Sequence, residues 1–257
     1  MIGLLLGGCQ STVRRAGLTE ADQMDIFLLA GQSNMAGRGT IEPFDQLVWP
    51  NLASLGRGGG WGPATEPVHF DKARAGVGPG LTFGRVVADA CPDRKIGLIP
   101  SACGGSPISA WRPGAYHAMT ESHPYDDAVA RTQHALADGR LRAILWIQGE
   151  SDSTSELAPL YYERLKELII SLRRDLGAES VPFIIGRLPR FPSSAVNPAR
   201  EAVTAAQQRV ARELPQVYFV DMPVLTSLPD GIHADAASAR EMGRRLAETY
   251  LHLAGGG

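Results

Sequence analysis

The sequence predicts an α/β protein: a three-layer α/β/α sandwich around a five-stranded parallel sheet. Two observations carry this expectation. Five short runs are apolar almost without interruption, which suits strands covered on both faces better than a half-exposed antiparallel sheet. Segments of helical period lie between them, and strand and helix in alternation imply right-handed crossovers.

The strand-like runs are Ile26 to Ala30, Ile96 to Pro100, Ala143 to Ile147, Pro182 to Leu188 and Val217 to Val220. Leu81 to Ala90 is expected to be helical after Pro79-Gly80, and Tyr125 to Ala137 up to Gly139. Leu157 to Leu176 should stop at Gly177, Pro198 to Leu214 at Pro215, and Ala236 to Leu253 closes the fold. Between Gly37 and Gly80 the chain is rich in Gly, Pro and Trp and shows neither period; a loop this long is expected to wall a site.

At 257 residues with 44% hydrophobic content the chain can bury a sizeable core. We expect a tail over 1–24 and a single domain over 25–257, without internal repeats. The formal charge of −2 is spread without a basic block, which argues against a nucleic-acid partner. No apolar run reaches the roughly 20 residues of a membrane-spanning helix. The first residues, MIGLLLGGCQST, end an apolar stretch at Leu6-Gly7-Gly8-Cys9, which resembles a lipoprotein cleavage box with Cys9 as the lipid-bearing residue. It lacks a basic leader and is short. Two readings therefore stand: an exported protein, whether periplasmic, secreted or lipid-anchored, and a cytoplasmic one with an apolar tail. Cys91 and Cys103 fall beyond opposite ends of one strand, too far apart to bridge, and are expected to be small buried thiols.

In an open α/β sheet, ligands bind beyond the carboxyl ends of the strands. The groups found there are Gly31-Gln32-Ser33-Asn34, Cys103-Gly104-Gly105-Ser106, Gln148-Gly149-Glu150-Ser151 and Asp230-Gly231-Ile232-His233. Together they hold the parts of an acyl transfer. A serine hydroxyl needs a base to take its proton, and a histidine oriented by a carboxylate is the usual one. Asp230, three residues before His233, can meet its Nδ1 and leave Nε2 for Ser33. Oxyanion donors could come from the Ser33 N–H, from Gly104 or Gly105, and from the Gln148 amide. Each residue alone has a plainer reading, as a cap, a turn or a chance spacing.

These blocks resemble the SGNH hydrolase superfamily, and within it the branch of the sialate O-acetylesterase domain and the carbohydrate esterase family 6 acetylxylan esterases. The resemblance rests on GQSNMAGRG (Gly31 to Gly39), GGSPISAW (Gly104 to Trp111), WIQGESD (Trp146 to Asp152) and DGIHADA (Asp230 to Ala236), and runs from about Asp25 to Leu253. It implies a flavodoxin-like sandwich, a serine esterase without cofactor or metal, an acetylated carbohydrate as substrate, Ser33 as nucleophile, His233 as base and Asp230 as its orienting acid. It also places Ser33, Gly104 or Gly105, and Gln148 around the oxyanion, although Gln148 stands where the wider superfamily tends to have Asn.

Gln32, Asn34 and Glu150 are supporting candidates. Glu150 is read first as a buried carboxylate bonded to the backbone of the Ser33 loop and second as a rival partner for His233. Trp61, Trp111, Arg112 and Arg187 are candidates for sugar contacts, since indoles stack on sugar rings and guanidinium forks bind hydroxyls or carboxylates, with structural packing an equal reading for Trp111. His69, His117, His123, His134 and His252 show no metal pattern and are assigned to surface or helix packing. A carbohydrate-binding module with catalysis lost is the rival reading, and oligomeric state is left open.

Overall fold

The computed structural model describes residues 23–192 and 197–255. The expected lipid-bearing Cys9 lies outside them. Seven strands form one sheet: β1 (Met24–Gly31), β2 (Leu52–Leu55), β3 (Trp61–Pro63), β4 (Ile96–Pro100), β5 (Gly139–Ile147), β6 (Phe183–Gly186) and β7 (Val217–Val220), in the order β3-β2-β4-β1-β5-β6-β7. All pairs are parallel except β2 with β3. The five expected strands are present. The sixth and seventh correct the expected count, and both come from the stretch read as aperiodic loop. Four residues in β2 and three in β3 are too few to show a period, and their hairpin turns through the glycine run of residues 56–60.

The strand sequences are continuously apolar because the sheet is buried on both sides. Along β1, Ile26, Leu28 and Ala30 point into one core, while Phe27 and Leu29 point into the other. Helices α3 (Pro124–Ala135), α4 (Tyr161–Leu176) and α5 (Pro198–Glu213) cover the first face; α2 (Pro79–Ala90) and α6 (Ala236–Gly255) cover the second. On α4 the stripe Tyr161, Leu165, Leu168, Ile169, Leu172 and Leu176 repeats at intervals of three and four and is buried throughout. Gly177 ends that helix in the left-handed conformation. Asn197 starts α5, its side chain accepting the Ala199 and Arg200 N–H groups ahead of Pro198. Ala158–Leu160, expected within α4, form a separate 3-10 turn before it, and Leu157 caps that turn.

The central strand β1 lies between β4 and β5, so the chain leaves β1 where the strand order reverses. Ladder bonds then carry the loops to a common edge. Gln32 N–H donates to Ile147 O at 2.9 Å, and Cys103 N–H to Gly31 O at 2.9 Å. Among the described residues no helix is long and apolar enough to cross a membrane.

Candidate active site

Gly31 ends β1 with φ of +131°, and a Cβ there would fall 2.1 Å from Ile147 O, so only glycine turns the chain at this point. Gln32 follows, and the four-residue helix α1 (Ser33–Ala36) begins at Ser33. The Ser33 hydroxyl is presented at the start of that turn and is nearly buried, 5% exposed.

On the loop before α6, Asp230 folds back on His233. One carboxylate oxygen, Oδ1, accepts the N–H groups of Ile232 (2.9 Å) and His233 (3.0 Å); the other, Oδ2, meets His233 Nδ1 at 2.6 Å. The second ring nitrogen, Nε2, lies 3.0 Å from Ser33 Oγ, 200 residues away in sequence. Partial burial of the Asp230 carboxyl works to raise its pKa, but the His233 side chain and the two amides outweigh it and hold the group down at about 2. It is therefore a carboxylate at neutral pH, which fixes the proton of the neutral imidazole on Nδ1 and leaves Nε2 as the acceptor for the serine proton.

Asn34 ties the serine turn to the histidine loop. Its Oδ1 accepts the Ala234 N–H at 2.9 Å and its Nδ2 donates to Ile232 O at 3.2 Å, one bond on each side of His233. The same Nδ2 donates to Glu150 Oε1 at 2.6 Å. This corrects the first reading of Glu150, which bonds the side chain of the Ser33 loop rather than its backbone and is half-buried. It is not the partner of Nδ1, which Asp230 occupies. Gln32 spans to the neighbouring loop, its Oε1 accepting the Gly149 and Ser151 N–H groups at 3.2 and 3.3 Å.

Gln148, expected as an oxyanion donor, is fully buried and committed elsewhere. Its Nε2 donates to Ser106 O at 3.0 Å and Asp152 Oδ2 at 2.6 Å, and its Oε1 accepts the Tyr161 hydroxyl at 2.9 Å. With both N–H groups spent, the amide braces the glycine turn from below. The Gly104 N–H is also taken, by Asp71 Oδ2 at 2.8 Å. Among the described residues the N–H groups of Ser33 and Gly105 meet no protein acceptor, which leaves this pair as the available donors.

Two of the expected sugar contacts are displaced. Trp111 is 1% exposed; its Nε1 donates to Ser106 Oγ at 2.9 Å and its ring stands edge-on to Trp146, so it is core. Trp61 bonds Asp138 ahead of β5 and packs over Gly97 near the start of β4, which puts it at the amino edge of the sheet, opposite Ser33. Arg112 is exposed and donates to Ser109 O. Arg187 follows β6 but its guanidinium pairs with Asp221 and Glu201.

Among the histidines, His69 and His117 are buried in loops rather than at the surface or in helices. Burial drives His69 down to about 4. Burial likewise pushes the Cys103 thiol up to about 11, so it stays protonated and unreactive; Cys91, expected buried, is half-exposed at the end of α2. Sequence reasoning missed Met119 and Ile232. Met119 is exposed with its thioether against Gly105, and Ile232 is exposed next to His233. Met119 carries no motif, and only the fold brings it to Gly105, whereas Ile232 lies within the DGIHADA block.

The chain is similar to a probable carbohydrate esterase of Arabidopsis thaliana, 33% identical over 247 residues, covering 88% of this chain and 90% of that one. The crystal structure from that plant superposes with a TM-score of 0.79 at 31% identity, over 90% of this chain and 98% of the other. NanS (TM-score 0.76, 20% identity, 93% and 100% covered) and a carbohydrate acetylesterase from Xanthomonas citri (0.70, 23%, 91% and 57%) share the fold. The model of the family described as carbohydrate esterase, sialic acid-specific acetylesterase, matches residues 23–252. The chain therefore belongs to that family, and is a carboxylic ester hydrolase of the carbohydrate esterase class.

Proposed function

We propose that this chain removes acetyl groups from a carbohydrate through a Ser33–His233–Asp230 triad and an acetyl-enzyme intermediate. The observation that carries the reading is the His233 imidazole bonded at Nδ1 to a carboxylate and at Nε2 to the Ser33 hydroxyl. Ser33 Oγ attacks the ester carbonyl while His233 Nε2 takes its proton, and Asp230 stabilises the imidazolium that results. The negative oxygen of the tetrahedral intermediate is met by the N–H groups of Ser33 and Gly105. Collapse breaks the bond to the sugar oxygen, which leaves with the proton from His233. Water then repeats the sequence on the acetyl-serine and releases acetate. Each step uses groups of the chain itself and water.

Acetylated xylan is the first substrate to test, because the GQSNM and WIQGES blocks resemble the acetylxylan esterases; O-acetyl sialosides are second, supported by the family description. p-Nitrophenyl acetate is expected to be hydrolysed by the wild type and not measurably by Ser33→Ala. Equal rates in the two proteins would overturn the triad. Acetate release from acetylxylan, acetylated monosaccharides and O-acetyl sialosides then ranks the sugars, and sugar binding without turnover of any of them would favour a binding module.

A further inference from the structure

The turn at Cys103 to Ser106 is held at almost every backbone polar atom, by residues that take no part in the triad. Gly104 N–H donates to Asp71 Oδ2 at 2.8 Å. Gly104 C=O accepts His117 Nε2 at 3.4 Å, which requires the proton of that ring to sit on Nε2. Gly105 C=O accepts the Ser151 hydroxyl at 3.0 Å, Ser106 N–H donates to Cys103 O at 3.2 Å, and Ser106 C=O accepts Gln148. One group is left over, the Gly105 N–H. In a trans peptide the C=O and N–H of one unit point to opposite sides. Whatever fixes Gly104 C=O therefore fixes the direction of Gly105 N–H.

Asp71 is itself fixed. It pairs with Arg38 at 2.7 Å, with the two side chains only 4% and 2% exposed, and Arg38 also donates to Gly37 O at 2.5 Å. Arg38 comes from the GQSNMAGRG block and Asp71 from the far end of the long 37–80 segment, so the pair clamps that segment onto the turn. The approach is so close that a Cβ on Gly104 would fall 2.3 Å from Arg38 Nη2 and 2.6 Å from Asp71 Oδ2. The absence of a side chain at Gly104 is what lets the ion pair reach the backbone.

We infer that the Arg38–Asp71 pair and His117 are positioning residues for the oxyanion: they lock the Gly104–Gly105 peptide so that its N–H is presented to the site and cannot rotate away. The inference rests on the proposed esterase reading and deepens it. A site in which this peptide is free to turn spends part of its time with a carbonyl oxygen where the donor belongs, which repels the developing charge. Preorganised donors are effective because they need no reorganisation when that charge appears.

The test uses variants of the intact protein assayed with p-nitrophenyl acetate beside wild type and Ser33→Ala. Arg38→Met combined with Asp71→Leu removes both charges of the buried pair at once, leaving no lone charge behind, and removes the acceptor of Gly104 N–H. His117→Leu removes the donor to Gly104 C=O, and His117→Gln returns an amide donor. The expected result is kcat lowered about tenfold to a hundredfold in the double variant and in His117→Leu, on a cooperative thermal transition. KM should stay within about twofold of wild type, and His117→Gln should recover most of the loss. Turnover within about twofold of wild type in either folded variant, or a loss in His117→Leu that His117→Gln leaves unrecovered, overturns the inference. Should the double variant fail to fold, the two His117 variants decide alone. If Ser33→Ala is inactive while the variants keep full turnover, the positioning role falls and the esterase reading stands; an active Ser33→Ala brings both down.

Discussion

At the scale of single residues, two carboxylates near one histidine have separate tasks because their neighbours differ. Asp230 meets Nδ1 and favours the tautomer protonated there; Glu150 accepts only from Asn34, whose amide bonds the backbone on each side of His233. Asp230→Asn is expected to lower kcat about 10³- to 10⁴-fold, the size of effect that follows when the imidazole is left in the wrong tautomer. Glu150→Gln keeps an acceptor for the Asn34 amide and should cost about tenfold or less, since only a charge is lost from a hydrogen bond. Steady-state kinetics on p-nitrophenyl acetate rank the two, and the reverse order would make Glu150 the partner of the base. The residues proposed as the triad were legible in the sequence because DGIH and GQSNM combine residue types that chemistry restricts, and the structure brings Ser33, His233 and Asp230 within hydrogen-bond distance. The mistaken role for Gln148 has an equally physical origin: a side-chain amide serves as donor or as brace, and only its partners, Ser106, Asp152 and Tyr161, distinguish the two.

Elements were legible where they are long and periodic, and lost where they are short. The α4 stripe is visible in sequence and buried as expected. Its central Leu172 is 0% exposed and packed in the core under the sheet. Leu172→Ala should lower the unfolding free energy by about 2–5 kcal/mol, read from urea denaturation, through lost transfer energy and the cavity left behind. A change under 1 kcal/mol would mean that the surroundings collapse onto the gap. By contrast, β2 and β3 left no trace in the sequence. A four-residue strand beside a three-residue edge strand is stabilised by pairing with β4 and by burial of Leu52 and Leu55, which are tertiary facts.

For the whole molecule, two buried groups in the 66–69 segment set opposing trends of stability with pH. Burial outweighs the Val68 and Gly78 amides at Glu66 and raises its carboxyl to about 7, so the stability it allows is complete below about 4.5 and is lost as pH rises toward 7. Burial lowers His69 to about 4, so its contribution is complete above about 6.5 and is lost as pH falls toward 4. Between about pH 4.5 and 6.5 the two slopes oppose each other. His69→Leu removes one of them, and the urea midpoint of that variant is expected to fall as pH rises from 4.5 to 6.5, relative to the wild-type trend. A midpoint difference between the two proteins that does not change with pH would show that His69 is not held neutral by its burial.

The sequence by itself determined the sandwich and the five main strands, because continuous apolar runs must be covered on both faces, and it narrowed the residues proposed for the chemistry, because few residue types can serve as nucleophile, base and orienting acid. Tertiary structure alone decided which polar groups remain free. Asp71 carries no motif and lies 33 positions from Gly104, yet it takes that N–H, while Gly105 beside it keeps its own. A hydrogen-bond donor is available for catalysis only when no other acceptor has claimed it, and that depends on every chain segment folded around the turn.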